Sequence, residues 1–421
     1  MTYLYELDDL YNIIDDIIPD QTFTEDILEF IETLLYLMDD YINENPQAII
    51  EEDFEECFKE DLLELLYITI EYCEEIDEIE EIIDFTFDIF FETIYNARSE
   101  SLNVHTNSKK LEIKTHIEEL RLKPQPVQRT ADWYQFRYNL ITASSAHKMF
   151  ESQSCLNQLI YEKCQPLKVE EKTIVNVNTT LHWGQKYEPL SVIIYENMNN
   201  TTIEDFGCIA HDTHRFLGAS PDGINVDENS PLFGRMLEIK NIVNREITGI
   251  PLREYWIQMQ LQMEVWDLDE CDFLETKFVE YETESDFYQG QDSDKLHGVI
   301  MYFNTKDSKP YYLYKPLHIT NRDDIVNWEE ENIDSHDNMM WIKNIYWKLE
   351  KMSCVLVLRN KKWFEDNVTQ MENVWKIIEK ERMEGYEHRA PKRKAKVEKS
   401  YTGLPTGCFL HIKSTEYETA L

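Results

Sequence analysis

The sequence predicts an α/β protein in which helices flank a mixed central sheet, with an acidic all-helical region before it and a helical region after it. Three observations lead to this prediction. Acidic residues are concentrated in the first hundred positions. From about residue 129, short segments rich in β-branched and aromatic residues alternate with helical ones, as in α/β domains. Beyond residue 320 the apolar residues return to helical spacing.

The acidic region is predicted to form a bundle of three or four helices. Residues 1–100 hold 32 Asp and Glu against two basic residues, a net charge of −30, whereas 101–421 hold 50 acidic and 39 basic residues, a net charge of −11. Thr22 and Glu25 fit a capping box, and residues 5–18 fit a further helix closed by Pro19. Such a charge run is typical of a solvated helical surface. The alternative is a surface that meets a basic partner or mimics nucleic acid. The apolar stripes are Ile27, Ile31, Leu34, Leu35, Met38 and Tyr41, then Leu62, Leu65, Leu66, Ile76, Ile79, Ile83 and Phe87.

Composition divides the rest of the chain into four parts. A basic stretch that ends in Pro124 and Pro126 interrupts the acidic pattern and reads as a linker with an extended end. The last part starts with a basic cluster, which is typical of a nuclear-import or nucleic-acid patch or of a solvated tail. The expected parts are an acidic helical domain at 1–100, a linker at 101–128, an α/β domain at 129–320, a C-terminal helical extension at 321–385 and a basic, flexible tail at 386–421.

The α/β domain shows expected strands and helices in alternation. The strand segments concentrate or alternate β-branched and aromatic residues, and the helical segments lie between them. The expected strands are 215–219, 236–242, 272–281, 298–304 and 310–318, and the expected helices are 132–138, 144–150, 182–199 and 252–266.

Several classes of protein do not fit the composition. No run of 18 apolar residues occurs, so we expect no membrane partner, and the acidic N-terminal segment is unlike a signal or transit peptide. The eight cysteines are scattered without a CxxC pair, which is typical of reduced thiols. We therefore expect an intracellular protein, cytoplasmic or nuclear.

Two acidic residues of the α/β domain are suited to hold a metal ion. Asp222, in LGASPDGI, follows a short apolar strand, and Glu238 and Lys240, in MLEIKNI, stand at positions i and i+2 of the next strand. Because these positions share one face of a strand, a hairpin would bring both carboxylates together beside the lysine. Mg²⁺ and Mn²⁺ take such hard oxygen ligands when phosphate and water complete their shell. An isolated acid-x-Lys pattern is common by chance, so the neighbouring segments matter.

Polar residues in two flanking helical segments add to this pattern. Glu188, in WGQKYEPLSVIIYE, is expected near the start of an amphipathic helix with Pro189 in its first turn. In YWIQMQLQMEVW, Gln258 and Gln262 share one helical face and Gln260 lies on another. Glutamines in an otherwise apolar helix need polar partners, because a buried amide without one is costly.

Five motifs in one order resemble the lambda exonuclease or YqaJ-type viral recombinase nucleases of the PD-(D/E)xK superfamily. They are R-x6-S with ITAS, WGxxYE, GASPDG, LEIK and YxxQxQxxM. The resemblance covers about residues 129–285, a little over a third of the chain, and each motif alone is weak. It implies an α+β core of the restriction-endonuclease type. The acidic region and the region after 320 have no counterpart in the minimal domain of that family.

The resemblance implies a metal centre built from four matching positions. Asp222 and Glu238 would bind the metal, with the backbone carbonyl of Ile239 as a further ligand. Lys240 would be the catalytic lysine, and Glu188 would complete the site through a metal or its water. The cofactor would be Mg²⁺, with Mn²⁺ as the alternative, and two ions would be bound.

The resemblance also implies a pocket for a terminal 5′-phosphate. Arg137, Ser144 and Ser220 match the groups that receive the phosphate, and Gln258 matches a catalytic-site glutamine that lines the same pocket. The residue types fit, because a guanidinium binds phosphate in bidentate fashion and hydroxyls can donate to the remaining oxygens. Holding the 5′-phosphate at a fixed distance from the metals would select which bond is cut.

The sequence thus predicts a metal-dependent deoxyribonuclease, a 5′-to-3′ exonuclease that acts on duplex DNA ends in recombination, repair or viral genome processing. The alternatives are an endonuclease or an alkaline-type nuclease for DNA and RNA on the same fold, and a non-catalytic acidic regulator that binds basic partners. The resemblance also implies a single-strand annealing protein as a partner, an oligomer as a candidate state, and a virus-infected cell as the location.

Overall fold

A computed structural model of the chain describes residues 25–44, 54–69, 76–90, 107–128, 130–167, 176–289 and 295–391. Within them, the α/β class with a mixed sheet between helices is confirmed. No helix in these ranges combines the length and the apolarity needed to cross a bilayer.

Three acidic helices come first and pack through their apolar faces. Their bounds are α1, Glu25–Glu44; α2, Phe54–Thr69; and α3, Ile76–Ile89. The expected helix at 5–18 and the cap residue Thr22 lie outside the described residues. Where their side chains are described, the residues of the expected stripes pack between the helices, because every third or fourth residue meets the neighbouring helix. The side chains of Leu65, Leu66, Ile76 and Ile79 lie outside the described residues. Buried residues of this bundle include Ile31, Leu34, Leu35, Met38, Phe58, Leu62, Ile83 and Phe87.

The described residues form two sheets. A three-stranded sheet has the order β1-β4-β3, and a seven-stranded sheet has the order β2-β5-β6-β7-β10-β8-β9. In the larger sheet β6 and β7 are parallel, and the other pairs are antiparallel. All five expected strands are present, as β4, β6, β7, β8 and β9. The bounds are β1, Ile141–Thr142; β2, Ile203–Glu204; β3, Ile209–Ala210; β4, Leu217–Ala219; β5, Gly223–Asn225; β6, Met236–Asn241; β7, Glu270–Glu280; β8, His297–Asn304; β9, Pro310–Tyr314; and β10, Met340–Leu358.

Helices cover both faces of the larger sheet. The four expected helices appear as α5, as α6 with the 3-10 turn His147–Met149, as α8 and as α9. The bounds are α4, Asn107–Leu122; α5, Ala131–Tyr138; α6, Ala143–Ala146; α7, Gln153–Cys164; α8, Thr180–Asn199; α9, Arg253–Trp266; α10, Glu284–Gln289; α11, Arg322–Ser335; and α12, Lys361–Glu384, followed by the 3-10 turn Glu387–Arg389.

Two apolar layers hold these helices on the sheet. On one face, Leu261 of α9 and Met371 of α12 are buried with Phe273 of β7. On the other face, α8 packs its apolar side against β6, β7 and β10, where Tyr195 contacts the cluster of Leu237 and its neighbours. Successive strand residues point to opposite faces, so β6 presents Glu238 towards α9 and Ile239 towards α8.

The expected linker at 101–128 is wrong over much of its length, because α4 occupies residues 107–122. Ile117 and Leu120 on this helix are buried in the main core. Lys114 pairs with Glu228 at 2.7 Å, which ties the helix to the β5–β6 turn. The many lysines suggested a solvated connector, but the apolar residues three apart between them form a core-facing stripe. Residues 124–127, with the two prolines, are non-helical as expected.

The expected helical extension at 321–385 is wrong over residues 340–358, which form the long strand β10. This strand lies inside the sheet between β7 and β8, so the sheet continues beyond residue 320. Ile345 and Trp347 both point to the α8 face of the sheet and are buried. The tryptophans suggested helical spacing, but Ile345 and Trp347, two residues apart, share the buried face, as the two-residue period of a strand requires.

The expected flexible tail from 386 begins with an ordered segment. Arg389 pairs with Glu381 of α12 and donates to the side chain of Asn157 on α7. Arg389 is therefore a structural residue rather than part of a mobile basic patch. The remaining basic cluster from Lys392 onward lies outside the described residues.

Candidate active site

The pairing of β5 with β6 brings two acidic residues together. Asp222 directly precedes β5, and its amide donates to the carbonyl of Leu237 on β6 at 3.1 Å. Its Oδ2 accepts a hydrogen bond of 2.7 Å from the amide of Ile239. The expected hairpin between the Asp222 and Glu238 segments is therefore present. In a strand the amide and carbonyl of one residue point to the same side, so the Ile239 carbonyl is directed to the Asp222 side of β6.

Glu238 is held by three side chains and is 1% exposed. Its Oε1 accepts from the ammonium of Lys240 and, at 2.7 Å, from Gln258 Nε2. Its Oε2 accepts from Gln262 Nε2 at 2.7 Å. The two glutamines stand one turn apart on α9, as the sequence predicts. They fix the orientation of the carboxylate because every hydrogen bond that it accepts comes from a residue anchored in regular structure.

The carboxylates of the site repel one another. Burial, then the charges of Glu238 and Glu188, raise the pKa of Asp222 well above its usual value, and Lys240 offsets only part of this. Burial would lower the pKa of Lys240, but the charges of Glu238 and Asp222 outweigh it and raise that pKa above its usual value. The ammonium therefore stays protonated and lies 4.9 Å from the ring centroid of Tyr255. A group of carboxylates with one ammonium is an environment that a divalent cation would stabilise.

Glu188 lies on α8, and its charge is one of those that raise the pKa of Asp222. The expected position near the start of a helix is wrong, because α8 begins at Thr180 and Pro189 lies inside it. The side chain of Thr179 caps the helix by accepting from the amide of His182 at 3.1 Å. Because a proline is tolerated in the first turn of a helix, Pro189 favoured a helix start near Glu188. Thr179 is a preferred N-cap residue, and this stronger signal places the start of α8 earlier.

Ser144 and Ser220 leave the small sheet at the same edge. β1 and β4 are parallel, with Ile141 opposite Leu217 and Thr142 opposite Gly218. Each serine stands two residues beyond the last pair, and parallel strands end at the same side of a sheet. Asp222 follows Ser220 by two residues, so the expected phosphate position and the carboxylates are adjacent along the chain.

Arg137 takes part in a separate set of contacts beside the small sheet. It lies in the last turn of α5, and its guanidinium is 4.5 Å from the ring centroid of Trp133. Burial raises the pKa of the Cys208 thiol, and a hydrogen bond and the charge from Arg137 oppose that rise. Cys208 precedes β3, which pairs with β4. The guanidinium is thus placed at the sheet that carries both serines.

Gln262 is a site residue that the expected set of catalytic residues did not include. Its Nε2 donates both to Glu238 and, at 3.1 Å, to the carbonyl of Ser220, so it joins the carboxylates to the serine segment. Its Oε1 is buried and has no hydrogen-bond partner among the described residues. The sequence feature that could have identified Gln262 was its position one turn after Gln258 on the same helical face.

A second group of possible metal ligands lies at the edge of this region. One ligand atom from each of His147, Glu151 and Glu254 lies within 4.8 Å of the others, although Glu151 is exposed. The imidazole Nε2 of His147 is 3.8 Å from a carboxylate oxygen of each glutamate. Glu254 lies on α9, the helix that also carries Gln258, so this group neighbours the Asp222–Glu238 site.

The fold and the site define a class of protein: a mixed α/β domain with two carboxylates and a lysine at the junction of neighbouring strands. Residues 132–269 match the model of the YqaJ-like viral recombinase domain. This match confirms the resemblance inferred from the five motifs.

A curated relative from a virus is similar over a longer stretch. It is the uncharacterized protein R354 of Acanthamoeba polyphaga mimivirus, 30% identical over 308 residues, which are 63% of this chain and 54% of that protein. The chain thus spans about half the length of this relative.

Solved exonuclease structures also match this chain, with low TM-scores. An alkaline exonuclease from Laribacter hongkongensis is 18% identical, with 60% of this chain and 94% of that chain covered and a TM-score of 0.35. Its complex with dAMP is 19% identical, with 62% and 98% covered and a TM-score of 0.36. A phage-related exonuclease from Haemophilus somnus 129PT is 12% identical, with 57% and 94% covered and a TM-score of 0.31.

Proposed function

We propose that this protein is a metal-dependent nuclease that hydrolyses DNA phosphodiester bonds, and that it works as a 5′-to-3′ exonuclease on duplex ends in viral recombination, repair or genome processing. The observation that carries the proposal is the convergence of Asp222 and Glu238 with Lys240 at the β5–β6 junction. The match to a viral recombinase domain supports the same function.

The residues present fit a divalent metal ion. Asp222, Glu238 and the carbonyl of Ile239 are hard oxygen donors at the β5–β6 junction. Burial, then the charges of Glu238 and Glu188, raise the pKa of Asp222, and a cation would offset this cost. When bound, Mg²⁺ or Mn²⁺ supplies an activated water and stabilises charge on the phosphate. Glu188, on the neighbouring helix, would hold water beside the ion.

Lys240 acts as a cation in this proposal. Its ammonium donates to Glu238 and lies 3.4 Å from Gln258 Oε1, so its position is fixed from two sides. The raised pKa keeps it protonated at neutral pH. A fixed ammonium can orient the attacking water and offset the negative charge that builds on the phosphate.

The end of the DNA would be held at the small sheet. Arg137 would bind the terminal 5′-phosphate, and the hydroxyls of Ser144 and Ser220 would donate to its remaining oxygens. Gln258 donates to the carboxylate of Glu238 in the structure, so it would join the phosphate pocket to the metal centre rather than bind phosphate alone. A phosphate fixed at this distance selects the bond that is cut.

The direct test is digestion of linear duplexes labelled at either end, with 5′-phosphate and 5′-hydroxyl forms compared, in the presence and absence of Mg²⁺. We expect metal-dependent release of 5′ nucleotides from the phosphorylated duplex. Glu238→Gln should abolish release, whereas Glu246→Gln, which changes an exposed carboxylate in the loop after β6, should leave it intact. Full activity of a folded Glu238→Gln protein would overturn the proposal.

A circular duplex and a single-stranded RNA complete the experiment. Cleavage of the closed circle would replace the exonuclease by an endonuclease, and cleavage of RNA at a comparable rate would indicate the alkaline-type alternative. No cleavage of any substrate with Mg²⁺ or Mn²⁺ would favour the non-catalytic regulator.

A further inference from the structure

A cavity of about 360 Å³ lies at the start of α8, on the side of the sheet opposite α9. Its walls come from α8, from the segment after β6, and from β7, β8, β9 and β10. Small-molecule sites begin at about this volume, so the cavity has room for a single nucleotide but not for a duplex. The lining residues used below are Trp183, Lys186, Val243, Tyr302, Tyr312 and Lys343.

The cavity is close to the proposed metal centre. Val243 stands three residues beyond Lys240, a distance of about 10 Å along an extended chain, or about three stacked nucleotides. Lys186 stands two residues before Glu188 on α8, and its carbonyl accepts from Tyr314 at 2.7 Å. Since Glu238 faces α9 and the cavity lies on the α8 side, a strand of nucleic acid in contact with the metal centre would reach the cavity around the end of β6, where Val243 and Asn244 line it.

The lining combines aromatic rings with cations. Tyr302 and Tyr312 have ring centroids 5.2 Å apart, and the Lys186 ammonium is 4.6 Å from the ring centroid of Trp183. Lys186 is paired with Glu280, whereas Lys343 is exposed and has no acidic partner among the described residues. The cavity thus carries one uncompensated positive charge in a chain whose net charge is −41.

We propose that this cavity binds one nucleotide of a single-stranded stretch of the substrate DNA, with the base on the tyrosine rings and a phosphate at Lys343. Aromatic platforms beside a cation are how proteins hold single strands without reading their sequence. The site would hold a strand that is unpaired next to the metal centre. The proposal rests on the function proposed above, because it takes the substrate to be DNA.

The test measures binding of a fluorescent single-stranded oligothymidylate to the full-length protein in EDTA, so that cleavage does not contribute. Tyr302→Leu should weaken binding about five-fold or more, as expected for the loss of one stacked base. Tyr311→Leu is the matched control, because Tyr311 points to the other side of β9 from Tyr312.

Lys343→Gln gives a second readout that does not depend on packing, because this side chain is exposed. If it contacts one phosphate, the slope of log K against log salt should fall by about 0.7. Lys306→Gln, in the exposed β8–β9 turn, should leave the slope unchanged.

Wild-type binding and an unchanged salt slope in both cavity variants would overturn the proposal. Duplex cleavage by the wild-type protein, measured in parallel with Mg²⁺, separates this result from a failure of the proposed function. Cleavage with unaltered binding in the variants rejects the cavity alone.

Discussion

Buried polar side chains at single positions determine the geometry of the site. Glu238 accepts from a lysine and two glutamines, and Asp222 accepts from the backbone of the neighbouring strand. Burying two carboxylates with one ammonium costs stability, because the desolvated charges are incompletely compensated. A cation bound between the carboxylates would offset part of this cost.

The pKa of Asp222 predicts a gain in stability when its charge is removed. A carboxyl whose pKa is higher in the folded protein stabilises the fold below its unfolded value of about 3.9 and loses that contribution as the pH rises through the folded value. Asp222→Asn should therefore raise the Tm of the metal-free protein at pH 8, because the asparagine carries no charge that burial and the neighbouring carboxylates disfavour.

Thermal unfolding at pH 8 and pH 4 in EDTA tests this. The Tm difference between Asp222→Asn and wild type should shrink at pH 4, where both side chains are uncharged in the folded protein. In a parallel series with Mg²⁺ in place of EDTA, the ion should raise only the wild-type Tm. A lower Tm of the variant at pH 8 would contradict the prediction.

Gln262 should affect chemistry more than folding. Gln262→Leu removes the donor to Glu238 and to Ser220, so we expect kcat to fall at least ten-fold, as for the loss of about 1.4 kcal/mol. Gln260→Leu is the matched control on the opposite face of α9, where Gln260 bonds the Leu358 carbonyl and the Asn360 amide. Gln260→Leu should lower the Tm but retain kcat per folded molecule. If Gln260→Leu and Gln262→Leu lowered kcat equally, the specific role of Gln262 in the chemistry would be refuted.

At the scale of elements, the end of α5 is clamped by two other helices. Lys163 of α7 donates to the carbonyl of Arg137 at 2.8 Å, and Arg382 of α12 donates to the carbonyl of Tyr138 at 2.7 Å. The Arg382 guanidinium also lies 4.0 Å from the Tyr138 ring centroid. Cations at the C-terminal carbonyls of a helix stabilise its dipole. The clamp therefore fixes the turn that carries Arg137.

We predict that Arg382→Gln reduces the preference for 5′-phosphorylated ends without abolishing cleavage. Its loss would free the end of α5 and misplace Arg137, and Arg137→Ala should lower the same preference more strongly. The measurement is the ratio of rates on 5′-phosphate and 5′-hydroxyl duplexes. Lys380→Gln is the control on the same helix, since Lys380 is exposed and its one ion pair among the described residues is with Glu384 at 3.7 Å. If Arg382→Gln, Arg137→Ala and Lys380→Gln all gave the same ratio of rates, neither the positioning role of Arg382 nor the phosphate-binding role of Arg137 would hold.

At the scale of the whole molecule, charge is unevenly distributed. The first hundred residues carry −30 of the total charge of −41. Asp39 of α1 lies 3.8 Å from Lys362 at the start of α12, a contact between the acidic helices and the rest of the chain. A phosphate-like surface tethered to a DNA-binding domain acts at a high effective concentration.

We therefore predict that the protein lacking residues 1–100 binds duplex DNA more tightly than the full chain at low salt and about equally at high salt. The reason is that repulsion is screened over about 10 Å at 0.1 M salt. Titration of both proteins on one duplex at two salt concentrations measures the effect. A bundle that only keeps the protein in solution or binds a partner elsewhere would give coincident curves at low salt.

The sequence by itself determined the elements whose pattern is local. The strands β4 and β6 to β9, the helices α5, α8 and α9, and the acid-x-Lys motif with its preceding Asp222 follow from side-chain periodicity and short spacing. The pairing of Asp222 with Glu238 also followed, since the two segments are joined by a short connection.

Only the tertiary structure decided the long-range features. β10 enters the sheet between β7 and β8, although it follows both in the chain, and α4 packs in the core despite its lysines. Gln262 matters because α9 crosses over β6, and Arg382 matters because α12 reaches α5 from 244 residues away in sequence. Such contacts depend on which surfaces become buried together, and the free energy of that burial is shared by distant segments that no local pattern records.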